Sequence, residues 1–225
     1  MNTIKNLIIK DILALKAYDK LIYTSLGMAL VFTFLGFFDP AMSKVTYAGI
    51  ALPVSVLGSL SSSILYEEEK ANADSYMLTF PVTRKDVVLG KYLYNLTLIG
   101  LGTIAIAIIA LLCIIFCPLN ISNVILITIL FGSATNLLFI IKTPLVYKYG
   151  TEKANNIFMI ILFAILSLAP VILLTIKSID PDYKNSVSIL TGMLPYIPVV
   201  SIILLIIFNI ISYKISYKIY MKKEF

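Results

Sequence analysis

The residue types best suited to chemistry are scarce in this chain and sit in two places. Glu67, Glu68 and Glu69 form an acidic run, and Cys113 and Cys117 stand one helical turn apart. A thiolate pair could begin a metal site, but zinc needs more ligands than these and the chain contains no histidine. The cysteines lie inside an apolar run and read as two small hydrophobes on one helix face. No disulfide framework, metal site or catalytic set is readable. The glutamates open the most charged stretch of the sequence, EEEKANADSYMLTFPVTRKD (67–86), and the question is why so oily a chain keeps it.

The chain has 225 residues, 60% hydrophobic and 13% charged. Globular domains carry roughly 25% charged residues, so half the usual solvating surface is missing. Apolar runs recur at the length of about 20 residues that crosses a bilayer core. The pattern predicts an all-α integral membrane protein with six transmembrane helices, at 21–38, 45–65, 92–116, 121–141, 157–176 and 196–213, in one domain spanning 1–225. Residues 1–20 lack the order of a cleavable signal peptide. Their apolar positions Ile4, Leu7, Ile8, Ile12 and Leu15 recur at helical spacing, with Lys5, Asp11, Lys16 and Asp19 off that stripe, which predicts an interfacial helix. Of 18 basic residues, only Lys44, Lys177 and Lys184 fall on the side opposite the N-terminus. The positive-inside rule then puts both termini in the cytoplasm, so the net charge of +6 reads as topology and not as nucleic-acid binding. In the outer loop before the last span, Val187, Leu190 and Leu194 fit a short amphipathic helix. One arginine against 17 lysines suggests an AT-rich bacterial genome.

No predicted span contains Asp, Glu, Lys, Arg or His. This counts against proton-coupled carriers and intramembrane hydrolases, whose ionisable groups lie within the membrane. Polar character comes instead from Ser55, Ser59, Ser62 and neighbouring small residues of the second span. They read as helix-packing surface, or as the lining of a translocation path suited to amphipathic cargo.

In the charged stretch, carboxylates in the last turn of a helix would cost roughly 0.3–1 kcal/mol each. The cost is avoided if the second span runs on to about Asn72 and projects into the cytoplasm. Asp74 or Asn72 then caps a short helix over 75–80, whose Tyr76, Leu78 and Phe80 are too apolar for a solvated loop. Pro81 stops it. Thr83 and Asp86 form a capping-box-like start for the next helix.

The run Leu78-Thr79-Phe80-Pro81-Val82-Thr83-Arg84, after the acidic run and before Gly90-Lys91, resembles the connection between spans two and three in membrane subunits of ABC-2 type exporters. PLVYKYGTEKA (144–154) is similar to the signature of the small subfamily that includes phenol-soluble modulin exporter permeases. The resemblance implies a cytoplasmic coupling helix at 75–80 and a separate ABC ATPase subunit. It implies an ATPase-coupling interface made by Glu67, Glu68, Glu69, Asp74, Ser75, Tyr76, Leu78, Phe80, Pro81 and Arg84. A second cytoplasmic loop is marked by Pro144, Tyr147, Lys148 and Gly150. It further implies a second permease copy, identical or not, in a bacterial cytoplasmic membrane, and export of amphipathic peptides or other hydrophobic compounds. The chain has no Gly-x-x-x-x-Gly-Lys-[Ser/Thr] loop, so ATP and Mg would be used by the partner and not bound here. The alternatives are a carrier or channel that acts without an ATPase, and a non-transporting scaffold or immunity protein.

Overall fold

The structure, a computed structural model, describes residues 2–38, 49, 51–73, 80–116, 121–179 and 197–223. The expected coupling helix, with Asp74, Ser75, Tyr76 and Leu78, and the expected outer helix over 187–194 lie outside the described residues. The elements are α1 (Asn2–Ala14), a 3-10 turn (Leu15–Tyr18), α2 (Asp19–Phe38), α3 (Leu52–Lys70), α4 (Arg84–Phe116), α5 (Ile121–Tyr149), α6 (Thr151–Ile179) and α7 (Ile197–Met221). No strand occurs among the described residues. Helices are what an apolar solvent demands, because each satisfies its own backbone polar groups.

Among the described residues, three helices are long and apolar enough to cross a membrane: Arg84–Leu111 within α4, Ser122–Tyr149 within α5 and Val199–Met221 within α7. Much of α7 is exposed hydrocarbon, including Val199, Ile203, Ile206 and Ile210. Inside the bundle, α3 and α4 cross closely at Gly102, where a Cβ would come within 2.7 Å of the Val54 Cα. This fits the rule that small residues let membrane helices approach.

Several helices run past the apolar segments that announce them. The 33 residues of α4 span about 50 Å, well over the roughly 30 Å of a hydrocarbon core. Its start is set by Thr83, whose hydroxyl accepts from the Asp86 N–H at 3.2 Å and donates to the Asp86 carboxylate at 2.6 Å. Helix α5 continues to Tyr149 straight through Pro144. A proline there has no N–H to give the Ile140 carbonyl. The Ser212 hydroxyl of α7 donates to that carbonyl instead, at 2.7 Å. Having spent its proton, Ser212 can only accept from Tyr92 of α4, at 2.6 Å, and Tyr92 in turn accepts from Ser216 at 2.9 Å. One proline thus explains a relay that locks α4, α5 and α7 together.

Helix α1 departs from the sequence expectation at two residues, Asp11 and Ile12, which exchange places. Ile4, Leu7, Ile8 and Leu15 do face the bundle, but Asp11 sits among them at 2% exposure, while Ile9, Ile12 and Leu13 are exposed. Asp11 is tolerated inside because Lys91 of α4 meets it there.

Candidate functional site

The ends of α3, α4, α5, α6 and α7 converge on one cluster, in which Leu65, Val88, Tyr92, Tyr147, Ala154 and Tyr220 are buried together. Around it lie the charged residues that the sequence singles out. Helix α3 stops at Lys70, and Asn72 takes the left-handed conformation, φ 49°, that commonly closes a helix. The three glutamates therefore do fall at the negative pole of their helix. Extension to Asn72 does not relieve them; partners from elsewhere do.

Glu68 accepts from Lys10 Nζ at 2.5 Å and from Lys91 Nζ at 2.6 Å. Lys91 also reaches Asp11 at 2.8 Å, and Lys10 lies 3.2 Å from the other Asp11 oxygen. Two cations and two carboxylates thus join α1, α3 and α4. Burial alone would raise the Glu68 pKa, but Lys91 and then Lys10 outweigh it and hold the carboxyl below its ordinary value. Burial would likewise lower Lys10, yet Glu68 and Asp11 raise it. Lys91 and Asp11 are only 5% and 2% exposed, so each is costly without the other.

Glu69 turns the other way. Its Oε2 accepts from the Thr151 N–H at 2.5 Å, at the first residue of α6. Gly150, the single residue between α5 and α6, has φ +80°, a conformation that suits glycine. Gly150 N–H donates to the Val146 carbonyl and its own carbonyl accepts from Ala154, so it ends one helix and begins the next. With no side chain, it cannot cap α6; Glu69 supplies the cap from α3. A carboxylate disfavoured at the end of its own helix is favoured at the start of another.

Glu67 is exposed and lies against the Tyr18 hydroxyl, at the rim of a cavity of about 570 Å³ between α1 and α3. Arg84 points into the protein: its Nη1 donates to the carbonyls of Tyr220, Met221 and Lys223, at 3.4, 2.9 and 3.1 Å, and so caps α7. Phe80 is 63% exposed beside the exposed Pro81.

The expected second loop is a corner between two helices. Pro144 lies inside α5, Tyr147 is buried edge-on to Tyr220 at 5.1 Å, and Lys148 is exposed over the Tyr149 ring. The serines offered as a lining mostly satisfy themselves. Ser55 donates to the Leu52 carbonyl and Ser59 to that of Val56, while Ser62 is half-buried.

The structure thus brings Glu68, Glu69, Arg84, Tyr147 and Gly150 to one end of the bundle and leaves the serines apart. Sequence reasoning missed Lys10, Asp11, Lys91 and Thr151 as partners. The one available signal was Asp11, an acid among apolar residues at i+4 spacing from Leu7 and Leu15. The arrangement is a junction of helix ends, tied by ions and caps.

The family model described as ABC-2 family transporter protein matches residues 6–221, nearly the whole chain. No curated protein matches it.

Proposed function

Because this chain belongs to the ABC-2 family of transporter proteins, we propose that it is the permease of an ATP-driven exporter for amphipathic peptides or other hydrophobic compounds. Membership makes it a membrane protein of the ABC permease kind, with an ABC ATPase as its general partner. In the proposed assembly each of α2 to α7 crosses the bilayer once, giving six spans. Both termini face the cytoplasm of a bacterial cell, and a second permease copy completes the path. ATP and Mg are bound by the ATPase, and this chain performs no catalysis of its own.

The observation that carries the reading is the gathering of Glu68, Lys91, Asp11, Glu69 and Arg84 at one end of otherwise apolar helices. A soluble partner pressing there acts on several helices at once. Exposed Phe80 stands at the edge of that end and offers the ATPase an apolar grip. Support for an amphipathic cargo comes from predicted spans that hold no charge but carry serine and glycine faces.

The test is co-expression with an ABC ATPase from the same genomic neighbourhood and reconstitution into vesicles. The expected result is ATP-dependent movement of a fluorescent amphipathic helical peptide away from the ATPase side. Equal flux without the ATPase would replace this reading with a carrier or channel. Phe80→Ser should weaken ATPase co-purification by about tenfold or more, since burying such a ring is worth about 1.5–3 kcal/mol.

A further inference from the structure

The bond from Glu69 to Thr151 is not where local stability alone would put a cap. A serine or aspartate at the helix start does that work in most helices. Here the acceptor comes from a residue 82 positions away, on a different helix. Among the described residues, it is the hydrogen bond that joins α6 to a helix other than its neighbour α5. Helix α6 needs such a tie, because Ile160 and Phe163 are exposed at 70% and 66% and its packing is chiefly against α5. The adjacent Glu68 pins the same end of α3 to α1 and α4. The last turn of α3 is therefore held on two sides, and the two cytoplasmic connections meet on it.

We propose that Glu69 is a positioning residue for transport, which carries displacement of the first cytoplasmic connection into α6 through the Thr151 N–H. The proposal rests on the reading of the chain as an ATP-driven permease. When the ATPase moves the segment between α3 and α4, the end of α3 moves with it, and Glu69 draws the start of α6 along. Without that bond the corner at Gly150 still forms, because the Val146 and Ala154 backbone bonds remain, but α6 no longer follows α3.

The experiment uses the permease–ATPase complex, isolated through the ATPase so that every permease measured is docked. Peptide moved per ATP hydrolysed is compared for the parent, Glu69→Ala, Glu69→Gln, Gly150→Ala and Glu152→Ala. The expected ratio for Glu69→Ala is at least fivefold below the parent, while Glu69→Gln, which keeps an acceptor, stays within twofold. Gly150→Ala crowds the same carboxylate, its Cβ coming within 2.6 Å of Glu69 Oε1, and also strains the corner at φ +80°. It should lower the ratio at least as far as Glu69→Ala, and adding Glu69→Ala to it should cost little more. Glu152→Ala removes another carboxylate from the same helix start but not the inter-helix bond, and should keep the parental ratio. A parental ratio in Glu69→Ala overturns the proposal, as does an equal loss in Glu152→Ala. Failure of Glu69→Ala to co-purify at all, with Gly150→Ala docking normally at parental ratio, makes Glu69 an ATPase contact and also overturns it. A parent complex that moves no peptide with ATP overturns the functional reading itself.

Discussion

Lys91 and Tyr92 are neighbours in sequence, both about 95% buried, and they hold two junctions by opposite chemistry. Lys91 reaches back to α1 and α3 and binds two carboxylates. Tyr92 faces α5 and α7 and binds two serine hydroxyls. Depth of burial therefore does not decide which chemistry is used. The Tyr92 relay needs only neutral donors and acceptors, so its strength is indifferent to salt, and to pH until phenols ionise at about pH 10. The Lys91 cluster is stronger bond for bond but conditional, because each charge is tolerable only while its partner is charged too. A transporter built this way has one junction that stays fixed and another that responds to its surroundings.

The comparison breaks most visibly at Lys91. Lys91→Met leaves Asp11 and Glu68 to share Lys10, a loss of about 3–5 kcal/mol for a broken buried pair. It should appear as a large fall in the thermal midpoint in detergent and in less folded permease in the membrane. Adding Asp11→Leu should recover most of that loss, since removing both charges is far cheaper than removing one.

The neutral junction should yield less. Ser212→Ala takes the α7 donor from the Ile140 carbonyl and one of two partners from the Tyr92 hydroxyl, at a cost of about 1–3 kcal/mol. Pro144→Ala in that background returns an N–H to the helix and should restore part of the midpoint. In the parent, where Ser212 already serves Ile140, the same change should gain little. If the two changes simply add, the proline is not what the serine serves.

The smallest effect is the pH response. Glu68 has its folded pKa lowered below 4.5, so its contribution is whole above that value and fades as the pH falls through the folded pKa. Lys10 has its folded pKa raised above 10.5, so its contribution is whole below that value and fades as the pH climbs through the folded one. The thermal midpoint should sag at both extremes in the parent. A Glu68→Gln, Lys10→Met variant should show a flatter profile, whereas Ser212→Ala should follow the parent curve at a constant offset below about pH 10.

How much of this could be seen in advance differs by level. Apolar runs revealed the helices, because a lipid-like composition leaves few other solutions. Their ends were harder to see: Tyr147 and Lys148 look like loop residues, and Pro144 looks like a stop, unless Ser212 is known to stand opposite Ile140. The acidic run was visible as an oddity, and the resemblance gave it an outward role. The structure turns Glu68 and Glu69 toward partners 58 and 82 residues away. Such pairings depend on how helices cross, which no local pattern encodes. Thr83 with Asp86 was legible because the whole device lies within four consecutive residues.

The grip of Arg84 on the chain's last helix has an evolutionary consequence. Its Nη1 donates to main-chain oxygens of Tyr220, Met221 and Lys223, atoms that every amino acid carries. Selection acting through this contact sees the shape of a helix end and is blind to the letters that spell it. Met221 and Lys222, both exposed, are therefore free to drift, whereas Tyr220, fully enclosed against Tyr147, is not. The chain's one arginine is the costly letter here: one guanidinium nitrogen, Nη1, meets all three carbonyls, and lysine would have to bring its more strongly hydrated ammonium to the same point. Homologues should thus keep the arginine while their tails diverge.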